Sequence, residues 1–183
     1  YSSLTTFSSS VLINVVIMLL IIIGGIGFVT WDDIKKHKLH FGRYRMQSKV
    51  ILGVTSILII VPVLHFYFFE FGKSTWNFAS EKDRVLASLF QAVSPRTAGF
   101  NTVDLNQLSG VGQLITIILM LIGAAPGSTA GGMKVTTVAV LLSTAVAVFR
   151  KRQDAHLFKR RLSNEVARSA SATLLMYTFL FMF

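Results

Sequence analysis

The sequence contains no cysteine, which excludes disulfide bonds and metal sites built from thiolates and leaves the redox compartment open. Acidic residues are also scarce: 8 Asp and Glu stand against 18 Lys and Arg, for a formal net charge of +10. Proline occurs three times, at Pro62, Pro95 and Pro126. Because proline has no N–H and restricts the residue before it, we expect a kink at Pro62 and helix breaks at the other two.

The chain is rich in apolar residues. Of its 183 residues, 52% are hydrophobic, and the mean hydropathy of +0.62 is high for a soluble domain. Four apolar regions predict membrane-spanning helices: Val11–Val29, Val50–Phe69, Val111–Phe149 and Asn164–Phe183. We therefore predict an all-α integral membrane protein in a lipid bilayer. The chain begins without Met and stops inside an apolar region, so we expect it to be part of a longer protein.

The basic residues are clustered beside the apolar regions. Thirteen of the 18 fall in two groups: Lys35, Lys36, Lys38, Arg43, Arg45 and Lys49, and Arg150, Lys151, Arg152, Lys159, Arg160, Arg161 and Arg168. The positive-inside rule places the loops 31–49 and 150–165 in the cytoplasm, and such clustering argues against nucleic-acid binding. These loops either contact anionic lipid or a soluble partner, or only orient the chain.

A short helix and a polar segment lie between the second and third apolar regions. Residues 84–94 predict a helix of about 15 Å, half a membrane span, which ends at Pro95. Residues 95–101 follow, and their centre has the pattern of a potassium-filter strand: Thr97, Ala98, Gly99 and Phe100. Such a strand replaces the hydration shell of an ion with backbone carbonyls, at angles that glycine permits. The alternative is an ordinary external loop, but a half-span helix before a polar strand favours a re-entrant pore loop.

The third apolar region is too long for one span. Its 39 residues would run about 58 Å as a single helix. The glycine-rich segment 123–134 divides it into the half-helices Val111–Ile122 and Val135–Phe149, and broken helices at membrane depth mark ion or substrate pathways. The residues of this loop that we single out are Gly123, Pro126, Gly127, Ser128, Thr129, Ala130, Gly131, Gly132 and Lys134.

Lys134 carries the one charge of this broken region. It faces protein or water, or it snorkels to the cytoplasmic interface. The loop is not a nucleotide-binding phosphate loop, because Met133 and Val135 stand where that motif needs lysine and a hydroxyl residue. Near the end of the first region, Gly24, Gly25 and Gly27 either offer a flat packing surface or loosen the helix end.

Two stretches carry a family resemblance: Val93–Thr102, with Ser-Pro-Arg-Thr-Ala-Gly-Phe-Asn at its centre, and Gly123–Lys134. Together they resemble the Trk/Ktr/HKT superfamily of cation transporters, and within it the membrane subunits of bacterial Ktr potassium uptake systems. Members have four potassium-channel-like repeats (helix M1, pore helix, helix M2) around one pore. The resemblance implies that 1–30 is the last helix of one repeat, 50–149 a complete repeat and 166–183 the first helix of the next.

The resemblance also implies function. Potassium would be held by the backbone carbonyls of Thr97, Ala98 and Gly99, and the loop 123–134 would gate the pore beneath this filter. Members are multi-pass proteins of the bacterial cell membrane whose uptake is potassium-selective and sodium-stimulated, so sodium is a possible second ion and no organic cofactor is expected. They form homodimers and bind a cytosolic nucleotide-binding ring, for which we name six docking candidates: Lys35, Lys36, Arg150, Lys159, Arg160 and Arg161. One filter strand cannot surround an ion, so this chain alone should not conduct.

Two other functions compete with a channel-like pore. A secondary transporter with broken helices would work by alternating access, but it does not require the re-entrant segment 84–101. A membrane-embedded enzyme would need convergent acids, bases or metal ligands inside the spans. The sequence places Glu70 and Asp104 at the outer edge and shows no such set, so we do not expect an enzyme.

Overall fold

The computed structural model describes residues 3–38, 40–152, 154–158 and 160–182, with only the backbone for residues 181 and 182. This part of the chain is mostly helical. Its helices are α1 (Val11–Ile26), α2 (Phe28–His37), α3 (Met46–His65), α4 (Glu81–Val93), α5 (Gly110–Leu121), α6 (Val135–Phe149) and α7 (Asn164–Met182). A small antiparallel hairpin, β1 (His156–Leu157) with β2 (Arg160–Arg161), separates α6 from α7, so the expected all-α fold has one short exception.

Helix α3 is the longest apolar element. It continues through Pro62 and widens into a π-helical turn at Phe66–Glu70. Together these 25 residues form the one unbent helix, within the described ranges, that is long and apolar enough to cross a membrane. The half-helices α5 and α6 are apolar but shorter, as the sequence predicts for a broken span.

The first apolar region bends sharply, which the sequence did not predict. Instead of one helix over Val11–Val29, α1 ends at Ile26 and α2 starts at Phe28, with 93° between them. Gly27 makes the bend possible, because its φ of +83° is in the left-handed region that favours glycine. The expected loop 31–49 is therefore partly helical.

Helix α4 is packed between α1 and α3. It starts where Ser80 Oγ accepts a hydrogen bond from the Lys82 amide, with Glu81 and Asp83 in the first turn, where carboxylates suit the helix dipole. Its C-terminal half is buried on all sides, and Phe90 and Val93 pack against Met18 of α1. The predicted helix is thus present, and it begins three residues before Arg84.

A cluster of buried apolar side chains joins α3 to the broken span formed by α5 and α6. Ile51 of α3 packs on Ile122, Ala125, Met133 and Val135, which form the base of the glycine-rich loop and the start of α6. Many large apolar side chains on the outer faces of the helices stay exposed, among them Leu12, Leu20, Ile57 and Leu175. Such faces suit contact with lipid or with further transmembrane helices.

Two carboxylates are buried at the ends of α3. Near its start, Asp33 of α2 accepts hydrogen bonds from the Arg45 amide (3.1 Å) and from Ser48 Oγ (2.5 Å). At its other end, Glu70 accepts hydrogen bonds from the amide (2.8 Å) and the hydroxyl of Ser109, the N-cap of α5. Each carboxylate caps a helix N-terminus, and so ties together elements that are distant in sequence.

Candidate functional site

Residues 94–101 form a compact turn directly after α4. The Ser94 carbonyl accepts hydrogen bonds from the amides of Ala98 (3.2 Å) and Gly99 (3.0 Å), and Ser94 Oγ donates to the Phe100 carbonyl. The segment predicted as an extended strand over 95–101 is therefore a turn at 94–98, and only 99–101 run free of turn structure. The reason is that Ser94, directly after α4, forms hydrogen bonds with Ala98, Gly99 and Phe100 and so holds the segment in a turn.

Four consecutive carbonyls at residues 96–99 accept no hydrogen bond from the residues that the structure describes. Within the described chain, the oxygens of Arg96, Thr97, Ala98 and Gly99 accept no hydrogen bond, whereas those of Pro95, Phe100 and Asn101 do. Thr97 and Gly99 have positive φ values of 69° and 75°. This conformation is strained for a β-branched threonine, and strain of this kind is concentrated at functional sites.

Burial changes abruptly along the same segment. Residues 90–96 are buried, whereas Thr97, Gly99 and Phe100 are exposed and Ala98 is half-buried. The outer end is held by the N-terminal segment: the Leu4 amide donates to the Asn101 carbonyl, and the Asn101 amide donates to Ser3 Oγ, both over 3.0 Å. The free carbonyls thus belong to a short exposed segment that is anchored at both ends.

A cavity of about 370 Å³ separates this segment from the glycine-rich loop. Arg96, Thr97, Ala98 and Phe100 line one side, and the loop residues Thr129 and Ala130 line another. Helix α1 closes the third side with residues between Ile17 and Gly25. The structure therefore brings residues of both stretches singled out in the sequence to the walls of one cavity.

The base of the loop is fixed by backbone hydrogen bonds. The Gly123 amide donates to the Met133 carbonyl (2.9 Å), and the Met133 amide donates to the Leu121 carbonyl (3.1 Å). The Val135 amide donates to the Ala124 carbonyl (3.2 Å), and a single parallel bridge joins Ile122 to Met133, so the chain enters and leaves the loop side by side. This closure holds the broken ends of α5 and α6 together.

The loop also donates hydrogen bonds to the backbone carbonyls at the C-terminus of α1. The carbonyls of Gly25 and Gly24 accept hydrogen bonds from the amides of Ala125 (3.0 Å) and Thr129 (3.4 Å). The Phe28 amide in turn donates to the Gly127 carbonyl (3.3 Å). A helix end leaves several carbonyls without partners, and here the loop supplies them. The structure shows both roles considered for these glycines: Gly24 and Gly25 pack closely against this loop, and Gly27 breaks the helix.

The tip of the loop is more open than its base. Ala124, Ala125 and Met133 are buried, whereas Gly127, Thr129 and Gly131 are exposed; Pro126, Ser128, Ala130, Gly132 and Lys134 are intermediate. The Lys134 ammonium donates a hydrogen bond to the Ala130 carbonyl over 2.7 Å. Lys134 therefore faces protein, and its side chain fastens the tip to the start of α6.

The six docking candidates lie in two groups. Lys35 and Lys36 are exposed on α2, where Lys36 pairs with Asp32 at 2.7 Å. Arg150 follows α6, and Arg160 and Arg161 form β2, where Arg161 pairs with Asp154 at 2.9 Å. Lys159 lies outside the described residues. No ion pair or hydrogen bond among the described residues connects the two groups.

Sequence reasoning did not predict the burial of three charged residues, Asp33, Glu70 and Arg96. Of the three, Arg96 lines the cavity, whereas Asp33 and Glu70 lie at the two ends of α3. A hydrogen bond from Ser48 lowers the pKa of Asp33 below its usual range, with help from the Arg45 amide and guanidinium, while burial acts in the opposite direction. Within the described ranges, no group of three or more His, Cys, Asp or Glu residues could hold a metal ion.

Known proteins resemble this chain in sequence and in fold. A family model described as TrkH, cation transport protein, matches residues 1–183. The chain is 35% identical over 175 residues to Ktr system potassium uptake protein B of Bacillus subtilis (strain 168), a match that covers 93% of this chain and 39% of that protein. It is 36% identical over 160 residues to potassium/sodium uptake protein NtpJ of Enterococcus hirae, covering 87% and 35%.

The crystal structure of the potassium transporter TrkH from Vibrio parahaemolyticus has the same fold. It superimposes with a TM-score of 0.74 over 93% of this chain and 37% of that one, at 19% sequence identity. At this identity the match shows the fold alone. The chain spans between 35% and 39% of the length of the relatives described above.

Proposed function

Because the chain belongs to the TrkH family of cation transport proteins, we propose that it supplies one wall of the ion pathway in a bacterial potassium uptake protein. In this proposal the chain contains one complete repeat, residues 50–149, with α3 as M1, α4 as the pore helix and the broken α5–α6 as M2. Residues 1–30 and 166–183 belong to the repeats on either side. The complete pathway needs the rest of the longer protein, since one filter segment cannot surround an ion.

The observation that carries this proposal is the row of carbonyls without partners at residues 96–99. Backbone carbonyls that accept no protein hydrogen bond can replace the water around a cation. Thr97, Ala98 and Phe100 line the cavity, and the left-handed conformations of Thr97 and Gly99 turn successive carbonyls out of the hydrogen-bonding pattern of the helix. We assign the potassium ligands to the carbonyls of Thr97, Ala98 and Gly99.

Helix α4 supports the same assignment electrostatically. Its C-terminus is at Val93, immediately before the segment with the free carbonyls. A helix C-terminus carries partial negative charge and favours a cation nearby. The helix is 13 residues long, about 20 Å, which suits an element that enters the membrane without crossing it.

We further propose that the tip of the loop, residues 126–132, is the gate. Its residues Thr129 and Ala130 line the same cavity as Thr97 and Ala98, while the base of the loop is closed by hydrogen bonds and buried against Ile51. A fixed base with a small, exposed tip allows two arrangements of the tip without unfolding α5 or α6. An energy difference of only a few kcal/mol would then let a regulatory partner choose between them.

The wider assembly is proposed by analogy with the relatives. The name of the Enterococcus hirae protein includes sodium, which supports sodium-dependent or sodium-stimulated potassium uptake for this chain. The word "system" in the Bacillus subtilis name supports a further component, for which we propose a cytosolic nucleotide-binding ring, with a homodimer in the bacterial cell membrane. The exposed basic groups on α2 and after α6 are the proposed docking sites of this ring.

The filter is tested with Gly99→Ser in the full-length protein. An added Cβ at Gly99 meets nothing within 4 Å, so the change acts through the left-handed backbone and costs about 1 kcal/mol of local strain. We expect lower potassium affinity or reduced selectivity over sodium in rubidium and sodium uptake, with normal membrane abundance. Gly53→Ser on α3 is the matched control, since Gly53 has equal free space and ordinary helical backbone.

The same pair of variants separates the pore from an alternating-access transporter. Alternating access does not need a filter at residues 97–99, so Gly99→Ser and Gly53→Ser would then have equal uptake and equal ion preference. That result would refute the filter assignment. A reduced preference for potassium in Gly99→Ser alone supports it.

A further inference from the structure

Arg96 is a buried arginine beside the proposed filter. Only 5% of its surface is exposed, and it lines the cavity together with Thr97 and Ala98. Its Nε is inaccessible to solvent and has no hydrogen-bond acceptor among the described residues. Arginine stays protonated in proteins, and a buried charge is tolerated when it is paired.

The acidic residues of the chain do not provide that pairing. All eight lie within the described ranges: Asp32, Asp33, Glu70, Glu81, Asp83, Asp104, Asp154 and Glu165. Five of them pair with other basic residues, namely Lys36, Arg45, Lys73, Arg84 and Arg161. The other three lie at the starts of helical segments, and none of the eight forms an ion pair with Arg96.

Arg84 shows how the terminal nitrogens of an arginine find partners within this chain, although its Nε, like that of Arg96, has no acceptor among the described residues. Its guanidinium donates to Glu81 (3.2 Å) and to the Tyr67 carbonyl (2.6 Å), and it stacks over the Tyr67 ring at 4.4 Å. It is also more exposed, at 23% of its side chain. The more deeply buried Arg96 has none of these contacts, so its partner is supplied by something else.

We infer that the guanidinium of Arg96 pairs with a carboxylate of the same transport protein that lies outside these 183 residues. The relatives are more than twice as long as this chain, so such a segment has room to meet the cavity wall. Because Arg96 adjoins Thr97, this ion pair would hold the free carbonyls in position. Arg96 is thus a positioning residue. Its expected effect on ion selectivity rests on the proposed filter, whereas the ion pair itself does not.

The test is a charge-swap scan in the full-length protein. Arg96→Glu sets two carboxylates against each other, so we expect low membrane abundance and rubidium uptake reduced by about tenfold or more. Each Asp and Glu outside these 183 residues is then changed to Arg in that background. Restoration of both abundance and uptake by one such change identifies the partner, and restoration by none of them overturns the inference.

Two further variants separate positioning from a purely structural role. Arg96→Lys keeps the charge but loses the planar two-pronged donor, so we expect normal abundance with weaker discrimination between potassium and sodium. Arg84→Glu is the control, because its partners lie within this chain and no outside Arg should rescue it. If Gly99→Ser leaves transport unchanged while a swap still restores the abundance of Arg96→Glu, the ion pair stands and the filter assignment fails.

Discussion

The Gly131 carbonyl oxygen occupies the place where a side chain on Gly123 would begin. A Cβ built on Gly123 would stand 1.8 Å from that oxygen, which is far inside any allowed contact. Gly132 completes the crossing, with a φ of +71° and its own Cβ position 3.0 Å from the backbone of Gly123. The two ends of the broken span can therefore cross this closely only because both positions lack side chains.

We predict that Gly123→Ala separates the crossing and destabilises the full-length protein by about 1–3 kcal/mol or more. The expected result is a lower Tm in detergent together with reduced potassium uptake. Gly131→Ala is the matched control on the same crossing, since an added Cβ there meets nothing within 4 Å. Equal Tm values for the two variants would contradict the described crossing.

Removal of the Lys134 tether should loosen the proposed gate. Lys134→Met deletes the hydrogen bond from the ammonium to the Ala130 carbonyl but keeps the apolar stem beside the loop. We expect higher ion flux and weaker dependence on the regulatory partner, with unchanged preference for potassium. Rubidium uptake by proteoliposomes, with and without the partner, measures both. A variant that inserts normally yet carries less ion than the parent would rule out this role of the loop.

The hydrogen bonds between Glu70 and Ser109 should make the effects of mutations at these two residues on stability depend on each other. Glu70→Gln and Ser109→Ala each remove part of a charge-assisted contact to a buried carboxylate. We expect each change to lower the free energy of unfolding by about 1–3 kcal/mol. The double variant should lose less than the sum of the two, because both changes break the same contact. Thermal unfolding of the four proteins gives the coupling. Strictly additive losses would show that the two side chains act independently.

Asp33 should make the stability of the folded protein depend on pH in the acidic range. Its pKa is lowered in the folded protein, so its contribution is present above the unfolded pKa of about 3.9 and is lost as the pH falls through the folded value. We expect Asp33→Asn to lower the Tm at neutral pH and to reduce the drop in Tm at acidic pH. Asp32→Asn is the control, since Asp32 is 45% exposed and pairs only with Lys36.

Charge reversal at the basic surfaces tests the proposed ring. Lys35→Glu and Arg160→Glu change exposed side chains on α2 and β2. If these surfaces dock a cytosolic ring, both variants should lower its co-purification while transport by the isolated membrane protein keeps its potassium preference. Lys82→Glu, which changes an exposed side chain on the segment assigned to the external side, is the control. Unchanged ring recovery in all three would leave orientation in the membrane as the role of these charges.

Local sequence was enough to determine α4, the break between α5 and α6, and the family. Ser80 with Glu81 and Asp83 starts α4, Pro95 follows its end, and four glycines with Pro126 divide α5 from α6, because these effects act within a few residues. The paired motifs around Gly99 and Gly123 identified the superfamily, which the comparisons confirm. The roles of filter, gate and docking surface remain predictions.

Only the tertiary structure decided how these pieces meet. Gly27 bends the first region because the loop packs on it: a Cβ there would lie 2.8 Å from the Pro126 carbonyl, 99 positions along the chain. The burial of Asp33 and Glu70 likewise depends on hydrogen-bond partners that are distant in sequence, Arg45 and Ser48 for Asp33 and Ser109 for Glu70. Periodicity and spacing report contacts along one helix, whereas hydrogen bonds and burial between distant segments depend on how those segments pack together.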